Sequence, residues 1–379
     1  MKKLKRLKSV IVRVFILVLV VVMIICLPSV KISQNQDLSQ IYSVFLGNKS
    51  KYQGIVEIWN IDTFEGGNKS KSSLLNEIAK LYQKTNKGVY FMVRNLTENE
   101  CVGLLLKGEV PDLLSCSYGV AEKVKDYIQE YSNVDENCFE NGAKEIIKSM
   151  EEKLAIPWCK GGYFLISTKN KLENSKIENI NSVKLSNIVF SSGYEVKGKN
   201  SNKIVYSLSV GSYKYLMPQL ALKTYNNNEV GLISKYSYNE NLIQSSPYVA
   251  YCEFVANKSV ILLGTQRDLF RMKNREEQGK VSDVIIEQVE GFTDLIQFIM
   301  LGKNLSGDKL LVAEDFVKFL ISEKSQNVIL KSGLFSVINI SINKEKEGIM
   351  QNIIPHNFSD YIAPKVFVSE NEINALQKF

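Results

Sequence analysis

The chain has 379 residues, 45% apolar and 23% charged, which is long enough for two domains and too apolar for a disordered chain. Its formal net charge of +7 is local: residues 1–29 hold Lys2, Lys3, Lys5, Arg6, Lys8 and Arg13 and no acid, leaving 41 basic against 40 acidic residues elsewhere. The remainder is close to neutral and shows no basic stripe with interleaved aromatics, so the charge gives no sign of nucleic-acid binding.

The early charges precede an apolar run from Val14 to Leu27, the pattern of an export signal. Leu27-Pro28-Ser29 is a poor match to a cleavage site, and Cys26 follows Met23-Ile24-Ile25 where a lipidated cysteine wants a small residue before it. A retained anchor over residues 1–30 is therefore preferred, with lipidation at Cys26 and ordinary cleavage as alternatives. Val10 to Val30 supplies about the 20 residues that span a bilayer, and the positive charges hold the N-terminus inside, placing the bulk on the extracellular face. Residues 31–53 are polar and read as a tether. Beyond the span, Cys101, Cys116, Cys138, Cys159 and Cys252 are odd in number and widely spaced, which fits buried thiols better than a disulfide framework or a metal site.

Ile55 to Ile58 reads as a buried strand. It ends in a loop with an aromatic plate, Trp59, two carboxylates, Asp62 and Glu65, and a flexible pair, Gly66-Gly67. Such an exposed loop suits a polyhydroxylated ligand, whose C–H faces stack while its hydroxyls pair. A helix over Ser73–Lys84 follows, with Ser70 or Ser72 as N-cap and Leu74, Leu75, Ile78, Ala79, Leu81 and Tyr82 at helical spacing. Gly88 closes it, Val89–Val93 is a second strand, and Glu98–Lys107 a second helix ending at Gly108. Pro111–Ser115 is a third strand, opening into Cys116-Ser117-Tyr118-Gly119. This alternation implies a parallel sheet with right-handed crossovers, whose loops 59–67 and 115–119 face one edge, where ligands bind.

Ala155–Ile166 reads as an extended segment broken by Gly161-Gly162. A second α/β-like region follows: a strand over Ile204–Leu208, a loop Ser209–Tyr213, a helix from Tyr215 to about Thr224, and a strand Val260–Leu263 ending in Gly264-Thr265-Gln266-Arg267-Asp268. Residues 271–280 read as charged and solvated. Val312–Lys331 reads as one long helix with Gly333 as C-cap, and helical patterning returns after Ser369. The only histidine, His356, has no catalytic partner nearby in sequence, and there is no phosphate-binding Gly-Lys-Ser/Thr loop and no His-Glu-x-x-His site. Asp62 and Glu65, three apart on one loop, give no sign of the carboxylate separation that glycoside cleavage needs. Nothing calls for a cofactor or a metal, and the chain reads as a binder, not an enzyme.

Five blocks in order resemble one family: Trp59-x-x-Asp62-x-Phe64-Glu65-Gly66-Gly67, Gly108-x-x-Pro111-Asp112-Leu113-Leu114, Ile156-Pro157-Trp158-x-x-Gly161-Gly162-Tyr163, Leu263-Gly264-Thr265-Gln266-Arg267-Asp268, and Phe316-Val317-x-Phe319-Leu320 through Gln326 to Gly333-Leu334-Phe335. Together they look like an extracellular solute-binding protein (family 1, sugar or glycerol-3-phosphate type) of a bacterial ATP-binding-cassette importer, over roughly residues 54–345. The resemblance implies a two-lobe periplasmic-binding-protein-like α/β fold of type II, after the N-terminal membrane segment. It puts lobe 1 at 54–157 plus 285–335 and lobe 2 at 158–284 plus 336–379. It implies a hinge at Trp158, Gly161, Gly162 and Tyr163, with a second crossing near Val284–Gly291. It implies a cleft binding a small polar solute, carbohydrate or glycerol-phosphate-like, through Trp59, Tyr118, Asp62, Glu65 and Ser117 on one side and Tyr213, Thr265, Gln266, Arg267 and Asp268 on the other. The implied partners are the solute and the permease's transmembrane subunits, and the implied state is a monomer.

The chain departs from the family in lacking a clear lipobox, in reading Asn68-Lys69-Ser70-Lys71 after the glycine pair, and in holding only Trp59 and Trp158 as tryptophans. These departures keep open an alternative: a membrane-anchored sensor or envelope protein that reuses the fold without transport.

Overall fold

In the computed structural model, residues 52–132, 134–174, 180, 204–206, 247–257, 260–288, 293–340 and 366–367 are described. By compactness the chain divides into Met1–Asn48 and Lys49–Phe379, and all described residues belong to the second unit. The anchor at 1–30, the Ser209–Tyr213 loop, the 215–224 helix, His356 and the segment after Ser369 lie outside them. Among the described residues no helix is long and apolar enough to cross a membrane.

Strand β1 (Gly54–Ile61) is the interior strand of a parallel trio. It pairs β2 (Val89–Leu96) from Gly54↔Val89 to Ile61↔Leu96, and β3 (Leu113–Ser117) from Ile58↔Leu113 to Asn60↔Ser115. Being paired on both edges extends β1 three residues past the expected Ile58, and β3 likewise runs to Ser117. The second crossover helix begins at Glu98 as expected, and the first begins two residues before the expected Ser73, after the N-cap candidate Ser70. For α1 (Lys71–Thr85), Ser70 Oγ accepts from Ser73 N at 3.2 Å, and for α2 (Glu98–Leu106), Thr97 and Glu100 form a reciprocal capping box. Each cap satisfies amide groups that the first helical turn leaves unpaired.

After the short helix α3 (Ala121–Val124), β4 (Ile128–Gln129) and α4 (Asn141–Lys148), the chain enters β5 (Ile156–Lys160). Strand β10 (Ile296–Gly302) lies antiparallel between β3 and β4 and also pairs β5. The first sheet is therefore mixed, because β10 re-enters it from the opposite end. Its core centres on Val56, Ile58, Leu74, Ile78 and Tyr82, with Tyr82, Phe91 and Phe316 packed at centroid distances of 4.2 to 5.6 Å.

The second sheet has the order β7-β8-β6-β9. It holds β6 (Tyr163–Thr168), β7 (Ile204–Tyr206), β8 (Ile261–Thr265) and β9 (Val284–Gln288), with β6 antiparallel to both β8 and β9. Helix α5 (Lys169–Asn174) follows β6, and α6 (Pro247–Val255) and α7 (Gln266–Glu277) pack over a smaller core of Phe164, Ile166, Phe254, Leu262, Leu269 and Met272. The sheets exchange chain at Gly161-Gly162 and between Gln288 and Thr293. The expected lobe boundaries at 157/158 and 284/285 thus fall inside β5 and β9. Residues 284–288 belong to the second sheet, not to the crossing.

Two further expectations are corrected. The charged stretch 271–280 is mostly helix α7: Met272 is buried, Arg271 and residues 273–276 are partly buried, and only residues 277–280 are exposed. The predicted helix Val312–Lys331 is two helices, α8 (Gly307–Leu320) and α9 (Glu323–Lys331). The chain leaves helical geometry at Ser322, whose hydroxyl turns back to the Phe319 carbonyl at 2.6 Å. Gly333, at φ +87°, takes the left-handed turn expected after the last helix. The next residues lead Phe335 into the second core, 6.0 Å from Phe164.

Candidate functional site

A cavity of about 460 Å³ opens where β1 ends, lined by residues 62–70 of the β1–α1 loop and by Arg267 in the first turn of α7. The loop comes from the first sheet and the arginine from the second. Of the residues expected to face a ligand, Asp62, Glu65 and Arg267 meet here.

Lys71, the first residue of α1, is 0% exposed. Its ammonium donates to the Phe64 carbonyl, lies 3.2 Å from an Asp62 carboxylate oxygen and stands 3.7 Å over the Phe64 ring. Burial pushes its pKa down, opposed first by Asp62. Asp62 is therefore the counterion of a buried lysine as well as a wall of the cavity. Lys71 was not among the expected site residues, although a signal was present. Positions 71, 74, 75, 78, 79 and 82 form the buried stripe of α1, so helical spacing already placed Lys71 inside.

Glu65 is held by the second sheet. Its carbonyl accepts from Gln266 Nε2 at 2.8 Å, and its carboxylate lies 3.3 Å from Arg271, also not anticipated. Arg267 donates to the Gly67 carbonyl. Gly66 and Gly67 are close-packing residues, not a flexible pair. A Cβ on Gly66 would collide with the Lys69 carbonyl, and one on Gly67 with the Ser332 carbonyl at the end of α9.

The remaining expectations fare differently. Trp59 is not an exposed plate: it lies within β1, 1% exposed. Its indole donates to Glu57 at 3.0 Å, and Arg94 covers its ring at 5.4 Å while bonding the same carboxylate. Ser117 closes β3 and is buried, and Tyr118 is 4% exposed, packed edge-on against Phe298 at 5.1 Å. Thr265 and Asp268 are buried in the capping box of α7, with Thr265 N donating to Asp268 at 3.1 Å. None of these five lines the cavity, and Tyr213 lies outside the described residues.

Of the residues expected to form a hinge, Gly161, Gly162 and Tyr163 lie at the sheet exchange, and Trp158 lies within β5 just before it. Trp158 is buried, its indole donating to Ser115 at 3.2 Å. Ser115 belongs to a buried polar cluster with Asn60 and Gln297, whose amide reaches Ser115 at 3.0 Å and the Ile61 carbonyl at 3.1 Å. Lys160 pairs with the buried Glu140, and burial brings its pKa down to about 8 against the pull of that carboxylate. Gly161 N donates to the Leu295 carbonyl, and Thr293 returns a bond to the Gly161 carbonyl at 3.1 Å. Tyr163 donates to Asp294, whose carboxyl is raised by burial to about 7.

Two α/β sheets thus exchange chain beside a cavity lined from both sides. No protein-family model and no curated protein matches the sequence. Solved structures do match. The GacH receptor of Streptomyces glaucescens, solved unliganded and with acarbose, aligns at a TM-score of 0.59 and 12% identity over 86% of this chain and 92% of that one. An ABC substrate-binding protein of Listeria monocytogenes in complex with cycloalternan aligns at 0.54 and 12% over 86% and 91%. Iron-bound HitA of Pseudomonas aeruginosa aligns at 0.55 and 11% over 86% and 98%. These neighbours share the periplasmic-binding-protein-like fold with this chain and differ in what they bind. Among the described residues no group of three or more His, Cys, Asp or Glu could hold a metal ion.

Proposed function

We propose that this protein captures a small polar solute, carbohydrate or glycerol-phosphate-like, in the cavity between the 62–70 loop and Arg267, and delivers it to an ABC permease. It acts as a monomeric binder, not an enzyme, held at the extracellular face of the membrane by residues 1–30. The observation that carries the reading is the two-sided cavity at the strand ends, with one wall from each sheet. The sugar ligands of the neighbouring structures support it. With Trp59 and Tyr118 buried, recognition by hydrogen bonds to Asp62, Arg267 and the loop backbone fits the geometry better than stacking. Arg267 can fork onto a carboxylate, a phosphate or two adjacent hydroxyls.

The test is a thermal-stability screen of the full chain in detergent against sugars, polyols and phosphodiesters. A solute at 100 times its dissociation constant stabilises by about 2.7 kcal/mol. A folded protein that no compound stabilises would sink the reading. The second reading, a sensor or envelope protein without transport, is favoured by the direct contacts of Gln266, Arg267 and Arg271 with the cavity loop, which already join its walls.

A further inference from the structure

Gln266 is 0% exposed and makes two side-chain hydrogen bonds in different directions. Its Oε1 accepts from Gly162 N at 3.1 Å, at the sheet exchange, and its Nε2 donates to the Glu65 carbonyl at 2.8 Å, in the cavity loop. One partner is a donor and the other an acceptor, so only one orientation of the carboxamide satisfies both. The ladder of the second sheet explains the placement. Tyr163 pairs Thr265 across antiparallel β6 and β8, and one step further along that register Gly162 meets Gln266, whose own amide donates to the Gly162 carbonyl at 3.2 Å. The neighbouring glycine is required by the same side chain, because a Cβ on Gly161 would land on the Gln266 carboxamide. Arg271, one helical turn later, holds the Glu65 carboxylate at 3.3 Å.

We propose that Gln266 is a positioning residue that mechanically couples the crossing glycines to the cavity loop, so that loosening one loosens the other. The inference rests on the reading of that cavity as a binding site. In a binder whose lobes move, such a tie transmits occupancy of the loop to the segment that must rotate. A side chain with both polar ends bonded inside the protein transmits displacement because breaking either bond leaves a buried group unsatisfied.

The experiment is hydrogen exchange of the full chain in detergent, comparing wild type, Arg271→Ala, Gln266→Met and the double variant. Arg271→Ala cuts the outer hold on Glu65 and also the Arg271–Asp268 bridge at 3.0 Å that backs the capping box of α7, so the route through Gln266 is read from the comparison of the two backgrounds. Coupling predicts that it accelerates exchange in residues 63–68 and also at the Gly162 amide, by about tenfold at each. In the Gln266→Met background the effect of Arg271→Ala should stop at the loop, the signature of a pairwise interaction. A Gly162 amide unmoved by Arg271→Ala overturns the proposal, and so does an effect of equal size in both backgrounds. If Gln266→Met does not fold, Gln266→Glu, which keeps the acceptor for Gly162 N and loses the donor to the Glu65 carbonyl, takes its place in the comparison. The readout needs no solute: coupled exchange with a failed solute screen would overturn the binding reading alone, and the converse would overturn the coupling alone.

Discussion

The Tyr163 hydroxyl donates to a carboxylate oxygen of Asp294, joining the first residue of β6 to the segment that leads into β10. With Gly161 N on the Leu295 carbonyl, it ties two of the segments by which the sheets exchange chain. Burial raises the Asp294 carboxyl to about 7, the Tyr163 bond opposing only part of the shift. An unfolded aspartate titrates near pH ~3.9. Between those values the folded chain holds a proton that the unfolded chain has lost, so stability falls as pH rises through the window and levels off above it. Going from pH ~7 to pH ~5 should therefore stabilise wild type by about 2–3 kcal/mol more than Asp294→Asn, whose Oδ1 still accepts from Tyr163. Urea unfolding of both proteins across this range measures the difference, and parallel pH profiles would refute the assignment.

The Lys71 ammonium serves the cavity wall from beneath, through Asp62 and the Phe64 carbonyl. Lys71→Ala removes a buried cation and leaves that carbonyl without its donor. We expect a loss of about 2–4 kcal/mol in urea unfolding and a weaker response to any solute that stabilises wild type. Lys71→Arg, too large for the site, should not restore either. A stability change below about 0.5 kcal/mol would mean that the loop does not depend on this lysine.

The first sheet was legible because its strands are short apolar runs bounded by glycines and its first helix carries a side-chain cap at its start: Ser70 is a local signal with a local cause, whereas the Thr97 capping box went unread. Asp62, Glu65 and Arg267 were legible as polar residues at strand ends. The position of Trp59 was not. A buried interior strand and an aromatic at the mouth of a loop share one pattern, and only pairing with both β2 and β3 decides between them. The break at Ser322 was missed although the apolar spacing stops there: residues 322–327 hold no apolar side chain, and the positions that α9 buries in this stretch are the polar Ser325 and Gln326. The contacts of Gln266 and Arg271 with Glu65 join residues some two hundred positions apart, which no periodicity reports.

Trp59 is the sharpest separation of core from site. Its ring is buried beneath Arg94, so Trp59→Ala should cost about 3–5 kcal/mol by leaving a cavity. Arg267→Ala, at a half-buried position lining the cavity, should change stability by less than about 1 kcal/mol while reducing solute stabilisation. Unfolding midpoints and thermal shifts on the two variants give both readings. A Trp59→Ala protein of wild-type stability would return Trp59 to the ligand.

Two glycines offer a matched test of the loop's packing. Gly67 lies against the Ser332 carbonyl and Gly333, backbone atoms at the end of α9 that cannot rotate aside. Asn68 N also donates to that Ser332 carbonyl, at 2.6 Å, so the loop is fixed there from two sides. Gly67→Ala must push the loop away from α9, breaking that bond and moving the cavity wall, at an expected cost of about 1–3 kcal/mol. Gly103 sits inside α2, and a methyl group added there would meet nothing within 4 Å. Gly103→Ala therefore gains helix propensity without a clash and should stabilise by about 0.5–1 kcal/mol. Opposite signs in the unfolding free energies of these two variants are the expected outcome. A neutral Gly67→Ala would show that the loop stands clear of α9, and the binding proposed for Asp62 and Arg267 would then lose its rigid wall.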